Sequence, residues 1–97
     1  MTLEKEKLEK AAFILKTVAH PVRLAIIQHL GEDKRMSVNE LGKRLACEQS
    51  LLSHHLINMK LKGILMCEQE GQNRYYSLKE PNVLKLLSSI EQCDCMM

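Results

Sequence analysis

The chain has 97 residues, 45% of them hydrophobic and only 3% aromatic, and a formal net charge of +2. Its length suits a single domain, 1–97, with a thin core, and its hydrophobic content excludes a disordered chain. The few aromatic rings argue against a stacking platform for single-stranded nucleic acid. No apolar run reaches the ~18 residues that span a bilayer, and the charged opening is unlike a signal peptide, so we expect a cytoplasmic protein without a membrane partner.

Two helices are predicted at the start of the chain. The first covers about residues 4–19, where apolar side chains recur at helical spacing. Phe13 widens its apolar stripe beyond the needs of one small core, which favours an interface with a second copy. His20-Pro21 separates this helix from a nearly all-apolar second helix over residues 21–30, because proline suits the first helical position. Gly31 is the predicted end of the second helix.

A helix-turn-helix is predicted over about residues 37–62. Ser37 is a good N-cap, and Glu40 three residues later completes a capping box. A short break at Cys47-Glu48 leads to a second helix, which ends before Gly63, a residue suited to the left-handed conformation at a helix C-terminus. Residues 41–62 within it are the most electropositive part of the chain, as an element that faces phosphates requires.

A wing hairpin and a last helix complete the predicted order. Residues 64–67 and 75–78 are short extended runs within a hairpin over about residues 64–78. An apolar helix over about residues 80–93 follows, and with the first helix it is predicted to hold a dimer together. The order α-α-α-α-β-β-α predicts a mainly α fold with a small β-hairpin wing, a winged helix-turn-helix.

The second helix of the helix-turn-helix is the predicted recognition helix. On a helical wheel, Leu52, Leu56 and Met59 form its inner stripe, and His55 falls near that stripe and is predicted to pack inside the domain. The outer side is small and polar with one apolar group, which suits a major groove, whereas ordinary solvated faces usually carry Glu and Lys. The residues predicted to contact bases or phosphates are Gln49, Ser50, Ser53, His54, Ile57, Lys60 and Lys62.

Three stretches resemble the ArsR family (ArsR/SmtB) of repressors: Leu15 to Leu24, Gln49 to Leu56, and the wing, Gly63 to Leu65 with Gly71 to Leu78. The resemblance covers about residues 12–90, in order and at the family's spacing. It implies a homodimer paired through its first and last helices, which binds an inverted repeat in double-stranded DNA. It further implies repression that a metal ion or a thiol-directed oxidant relieves. The wing residues that it assigns to the minor groove or to phosphates are Gln72, Asn73 and Arg74.

The sensing sites of the family do not transfer to this chain. Some relatives carry cysteines before the recognition helix, where this chain has Ser37 and Asn39. Another subgroup places Asp and His at the start of the last helix, where Glu80 and Asn82 stand here. Thiol sensors use a cysteine in the second helix, and Gln28 occupies that position. The sequence therefore leaves the resident metal unknown.

The C-terminal run Cys93-Asp94-Cys95-Met96-Met97 offers soft ligands that suit zinc, copper(I) or arsenite. Cysteines two apart on a helix point in diverging directions, so Cys93 and Cys95 can share one centre only if the helix end frays. The other interpretation is a tail with incidental thiols, and both stay open. Cys47 and Cys67 are interpreted as small buried hydrophobes.

The sequence predicts a regulator and not an enzyme, since it contains no Gly-rich phosphate loop, metalloprotease motif or Ser/His/Asp arrangement. The expected function is sequence-specific DNA binding by a homodimeric repressor, released by a metal or a thiol-reactive signal. The alternative is a winged-helix repressor or a protein-interaction module with no small-molecule sensing. The polar outer side of the recognition helix argues against an interaction module that has lost DNA binding.

Overall fold

A computed structural model of the protein describes residues 4–92. The helices and strands are α1 (Lys5–Val18), α2 (Pro21–Asp33), β1 (Arg35–Ser37), α3 (Val38–Leu45), α4 (Gln49–Leu61), β2 (Leu65–Glu70), β3 (Asn73–Leu78) and α5 (Asn82–Glu91). The predicted winged helix-turn-helix order is confirmed, with one additional strand. Within the described residues no single helix is long and apolar enough to cross a membrane; α1 and α2 reach that length and hydropathy only together, and they are bent by 100° at their junction.

The wing belongs to a three-stranded antiparallel sheet in the order β1-β3-β2. Strand β1 was not predicted, because three residues are too few to show an alternating pattern of apolar and polar side chains. The wing strands are also longer than predicted: β2 and β3 stay paired up to Glu70 and Asn73. Only Gly71 and Gln72 form the turn, and Gly71 has a φ of +61° that glycine adopts without strain. Residues 68–70 and 73–74, which lie between the two predicted extended runs, therefore belong to exposed strand.

The core lies between α2, α3, α4 and the sheet. Its members are fully or almost fully buried apolar side chains drawn from every helix and from all three strands or their margins. They are Val18, Ile26, Ile27, Leu30, Met36, Leu41, Leu52, Leu56, Met59, Ile64, Leu65, Tyr76 and Val83. The helix-turn-helix therefore rests on a packed base, which keeps α3 and α4 in a fixed arrangement.

The end of α2 differs from the prediction. Gly31 does not end the helix, which continues to Asp33 and stops at Lys34, a residue with a φ of +66°. A Cβ at position 31 would lie 2.4 Å from Leu84 Cδ2 of α5. Gly31 thus allows a close approach of α2 and α5. In the sequence alone, a glycine at such a helix contact cannot be distinguished from a glycine that ends a helix.

The terminal helices are the least buried. In α1 only Thr17 and Val18 are buried, and in α5 only Val83. Phe13 and Leu15 of α1 each keep 48% of their surface exposed, and Ile90 of α5 keeps 45%. The apolar surface predicted for these two helices is therefore left uncovered by the rest of the described chain.

Candidate nucleic-acid interface

One side of the recognition helix α4 packs against the core. Leu52, Leu56 and Met59 are all fully buried, which confirms the predicted inner stripe. His55, predicted to pack inside, is only 4% exposed, and its Nδ1 accepts a hydrogen bond of 3.0 Å from Arg23 Nε. These contacts fix the rotation of α4 about its own axis, and so they determine which side chains face outward.

The opposite side of α4 carries the predicted base-contacting side chains. Exposed along it are Gln49, Ser50, His54 and Ile57. Ser53 is partly covered. The hydroxyl of Ser50 donates a 2.7 Å hydrogen bond to the Glu48 carboxylate, so its oxygen lone pairs remain free to accept. This side therefore offers donors, acceptors and one exposed aliphatic group.

A groove of about 230 Å³ separates the start of α4 from the wing. Gln49 and Ser53 line it from α4, and Gln72, Asn73 and Arg74 line it from the wing turn and β3. Five residues that were singled out in two separate segments of the sequence thus converge on one concave surface. Each of them can donate or accept a hydrogen bond, and Arg74 adds a positive charge.

The start of α3 completes the groove. The sequence did not predict that this segment belongs to the nucleic-acid interface. Ser37, Val38 and Asn39 line the same groove. Ser37 caps α3: its Oγ accepts from Glu40 N at 3.1 Å, and the Glu40 carboxylate accepts from Ser37 N at 3.0 Å. These hydrogen bonds, the backbone one first, lower the pKa of Glu40. The capping box predicted where α3 begins, whereas the place of this first turn in the groove arises from packing of α3 against α4 and the wing.

The remaining predicted residues lie outside this groove. Lys60 is exposed in the last turn of α4. Lys62 Nζ lies 5.7 Å from the centroid of the Phe13 ring, against α1. Their contacts with phosphates stay predictions, as do the roles of His54 and Ile57. Cys93 and Cys95 lie outside the described residues.

The wing is braced by an ion pair that crosses the sheet. Arg35 of β1 donates to both carboxylate oxygens of Glu70, at 3.2 and 2.7 Å, and its guanidinium lies 4.2 Å from the centroid of the Tyr75 ring. The pairing lowers the pKa of Glu70 and raises that of Arg35. Glu70 precedes the turn, so the pair lies beside the wing tip and offsets the charge of a carboxylate there, while both side chains stay about half exposed.

Comparison with known proteins agrees with this geometry. A helix-turn-helix domain family matches residues 18–68. The transcriptional repressor PagR of Bacillus anthracis is 38% identical over 92 residues, which cover 92% of each chain. The chain belongs to the ArsR/SmtB family of winged-helix transcriptional regulators. The crystal structure of PagR superposes on this regulator with a TM-score of 0.80 over 90% of this chain and 99% of that one.

A second ArsR/SmtB relative is the transcriptional activator HlyU of Vibrio cholerae, 34% identical over 89% of this chain and 79% of its own. The regulator's structure also gives roles to two of the positions that were compared above with sensing sites, Ser37 and Glu80. Ser37 caps α3. Glu80 lies 3.9 Å from Lys10 Nζ and accepts a hydrogen bond from the Asn82 amide. Among residues 4–92, no three His, Cys, Asp or Glu side chains are grouped to hold a metal ion.

Proposed function

We propose that this transcriptional regulator is a cytoplasmic homodimeric repressor, with residues 1–97 as one domain, that binds an inverted repeat in double-stranded DNA. One observation carries the proposal: polar side chains of α4 and of the wing converge on one groove while the opposite side of α4 is buried in the core. A helix fixed in this way can enter a major groove with a constant set of side chains outward.

The side chains in and beside the groove suit different parts of the DNA. Gln49 can form a bidentate pair with adenine, and Ser53 can donate or accept at either base type. His54 and Ile57, further along the exposed side of α4, suit a guanine or phosphate and a thymine methyl respectively. Arg74 on the braced wing suits phosphates or a narrow minor groove.

The exposed apolar surface of α1 and α5 supports the dimer. Three large apolar side chains on these helices keep about half of their surface exposed: Phe13, Leu15 and Ile90. A second copy of the same helices, related by a two-fold axis, would cover this surface and present two recognition helices to two half-sites.

The direction of regulation is proposed from the relatives. PagR is named a repressor and covers almost the whole of this chain, whereas HlyU is named an activator. We favour repression because PagR is the more similar of the two, at 38% against 34% identity, and is matched over 92% of its own length against 79% for HlyU.

The test is a gel-shift titration on the DNA upstream of the protein's own gene, with an unrelated duplex as competitor. Ser53→Ala and His54→Ala are each expected to weaken specific binding by about tenfold and non-specific binding little, since each loses a base-edge contact. Ser89→Ala, an exposed serine of α5, is the matched control. Unchanged specific binding in both α4 variants would refute the assigned side of the helix.

Arg74 has a different expected signature. Arg74→Ala is expected to weaken binding to all duplexes and to lower the slope of log K against log salt by about one, because one phosphate contact is lost. Lys85→Ala, on exposed α5, is expected to leave the slope unchanged. A slope that Arg74→Ala does not alter would remove the wing from the interface.

Sensing by Cys93 and Cys95 stays a prediction. The same gel shift with zinc, copper(I), arsenite and a persulfide donor, applied to the wild type and to Cys93→Ser/Cys95→Ser, tests it. Release of the wild type but not of the double variant is expected. Equal release of both would place the sensor elsewhere.

A further inference from the structure

One arginine joins three helices at the base of the recognition helix. Arg23 lies in the first turn of α2. Its Nη1 donates a 2.8 Å hydrogen bond to the carbonyl of Thr17 at the end of α1, and its Nε donates a 3.0 Å bond to His55 Nδ1 in the middle of α4. The helix proposed for the dimer and the helix proposed for DNA are thus connected through a single planar group.

The acceptor in this link must be a neutral histidine. His55 Nδ1 can accept from Arg23 only when it carries no proton, which assigns the ring proton to Nε2. Nε2 is buried and has no hydrogen-bond partner among the residues that the structure describes. A protonated ring would lose the bond from Arg23 and place two cations side by side.

The surroundings of His55 oppose its protonation. Arg23 faces it from α2, His20 from the junction of α1 and α2 with ring centroids 4.5 Å apart, and His54 from its own helix at 5.9 Å. The nearest part of α1 contributes the uncharged Thr17. Burial is the largest cause that lowers the pKa of His55, and the charges of Arg23, His20 and His54 lower it further.

We propose that Arg23 is a positioning residue that sets α4 at a fixed place relative to α1, with neutral His55 as the acceptor. The proposal rests on the proposed function, in which α1 pairs the protomers and α4 reads the DNA. Two recognition helices must reach successive major grooves about one turn apart, ~34 Å. A small displacement of α4 relative to α1 therefore changes the spacing between the two α4 helices and penalises binding of both half-sites together.

This role has a signature that general destabilisation lacks. Loss of the link is expected to weaken binding to the full inverted repeat much more than binding to a duplex with one half-site. A purely structural role would weaken both DNAs alike, because each protomer would bind its half-site less well. The preference for full over half site is therefore the quantity to measure.

The first variant is Arg23→Lys, which keeps the charge but cannot donate to Thr17 and His55 in a fixed fork. The expected loss of the full-site preference is about tenfold, within the range usual for coupling between sites. His55→Gln is the matched conservative variant, because its amide oxygen can accept from Arg23. It is expected to retain the preference at pH 7.5. Thermal unfolding and light scattering of each variant identify any that fails to fold or to dimerise.

Acid provides an independent readout of the same link. His54→Gln serves as the background, because His54 is an exposed imidazole on the side of α4 proposed to face DNA and its removal leaves His55 as the histidine of α4. In that background the full-site preference is expected to hold at neutral pH and to fall only at acid pH below the ordinary histidine range, because burial and the neighbouring charges lower the pKa of His55. The added His55→Gln is expected to abolish the fall. A fall that the added His55→Gln leaves unchanged contradicts the proposal.

The outcomes separate the two proposals. Wild-type protein that binds neither duplex refutes the proposed function, and this inference with it. Wild-type protein that prefers the full site, while Arg23→Lys keeps the same preference or loses affinity equally for both duplexes, refutes only the role of Arg23.

Discussion

The middle of the chain and its two terminal helices differ in how completely they bury their apolar side chains. Eleven of the thirteen fully or almost fully buried apolar side chains come from the stretch between α2 and β3, whereas α1 adds only Val18 and α5 only Val83, with Ile14, Leu84 and Leu87 partly buried against this core. The core beneath α3, α4 and the wing is therefore built mainly by the middle of the chain. The terminal helices keep apolar surface that the described chain does not cover, which is where a partner would add stability.

The largest effect is expected from the core side of α4. Leu56→Ala is expected to lower the free energy of unfolding by about 2–5 kcal/mol, because the side chain is fully buried and leaves a cavity. Leu61→Ala, a leucine of the same helix that is 78% exposed, is expected to change it by less than about 0.5 kcal/mol. Urea denaturation measures both, and similar losses would show that the burial contrast along α4 is not real.

The terminal helices are expected to show the reverse pattern. Phe13→Glu/Leu15→Glu is expected to weaken self-association by tenfold or more, roughly the effect of losing a central apolar contact, while each protomer stays folded. Light scattering should then report a particle of 11.2 kDa in place of one of twice that mass. Leu61→Glu introduces the same charge on an exposed leucine outside the terminal helices and should leave the mass unchanged. A double variant that stays dimeric would remove α1 from the interface.

The contact between the two regions can be tested at glycine. Gly31→Ala must displace Leu84, whereas Gly42→Ala in α3 would meet Leu52 Cδ2 at an ordinary 3.7 Å. Both gain helix propensity, about 1 kcal/mol each, but overpacking opposes that gain at position 31. Gly31→Ala is therefore expected to be less stable than Gly42→Ala by about 1 kcal/mol or more in thermal unfolding. Equal stabilities of the two variants would mean that α5 moves away from position 31 at no cost in free energy.

The smallest effect concerns the cap of α3 and its pH dependence. Ser37→Ala is expected to cost about 1 kcal/mol at neutral pH. The pKa of Glu40 is lower in the folded chain than in the unfolded chain, so its contribution is present above the ordinary carboxyl pKa and is lost as pH falls from there through the lowered folded-state pKa. Glu40→Gln should flatten the stability profile below about pH 5. A wild-type profile that the variant reproduces would contradict this assignment.

The sequence predicted most of the recognition helix because its signals were local and periodic. The inner stripe of Leu52, Leu56 and Met59, the inward turn of His55 and the capping box at Ser37 were all confirmed. Each depends on spacing along one helix, which the chain displays directly.

The features that were missed depend on contacts between distant segments. Gly31 looked like a helix end because its partner, Leu84, comes 53 positions later in the chain. Strand β1 could not be predicted since its only support is pairing with β3, and the bond from Arg23 to His55 joins residues 32 positions apart. The place of Asn39 in the groove likewise arises from packing of α3 against α4 and the wing.

The tight turn of the wing limits how this surface can change in evolution. β2 and β3 are paired without a bulge from Leu65 and Leu78 to Glu70 and Asn73, and two residues close the hairpin. One inserted residue would shift the register and exchange the two sides of a strand. Two residues added to each strand would preserve pairing and sides and lengthen the wing by ~7 Å. Insertions of this kind can alter the reach of the wing while the helix-turn-helix stays as it is.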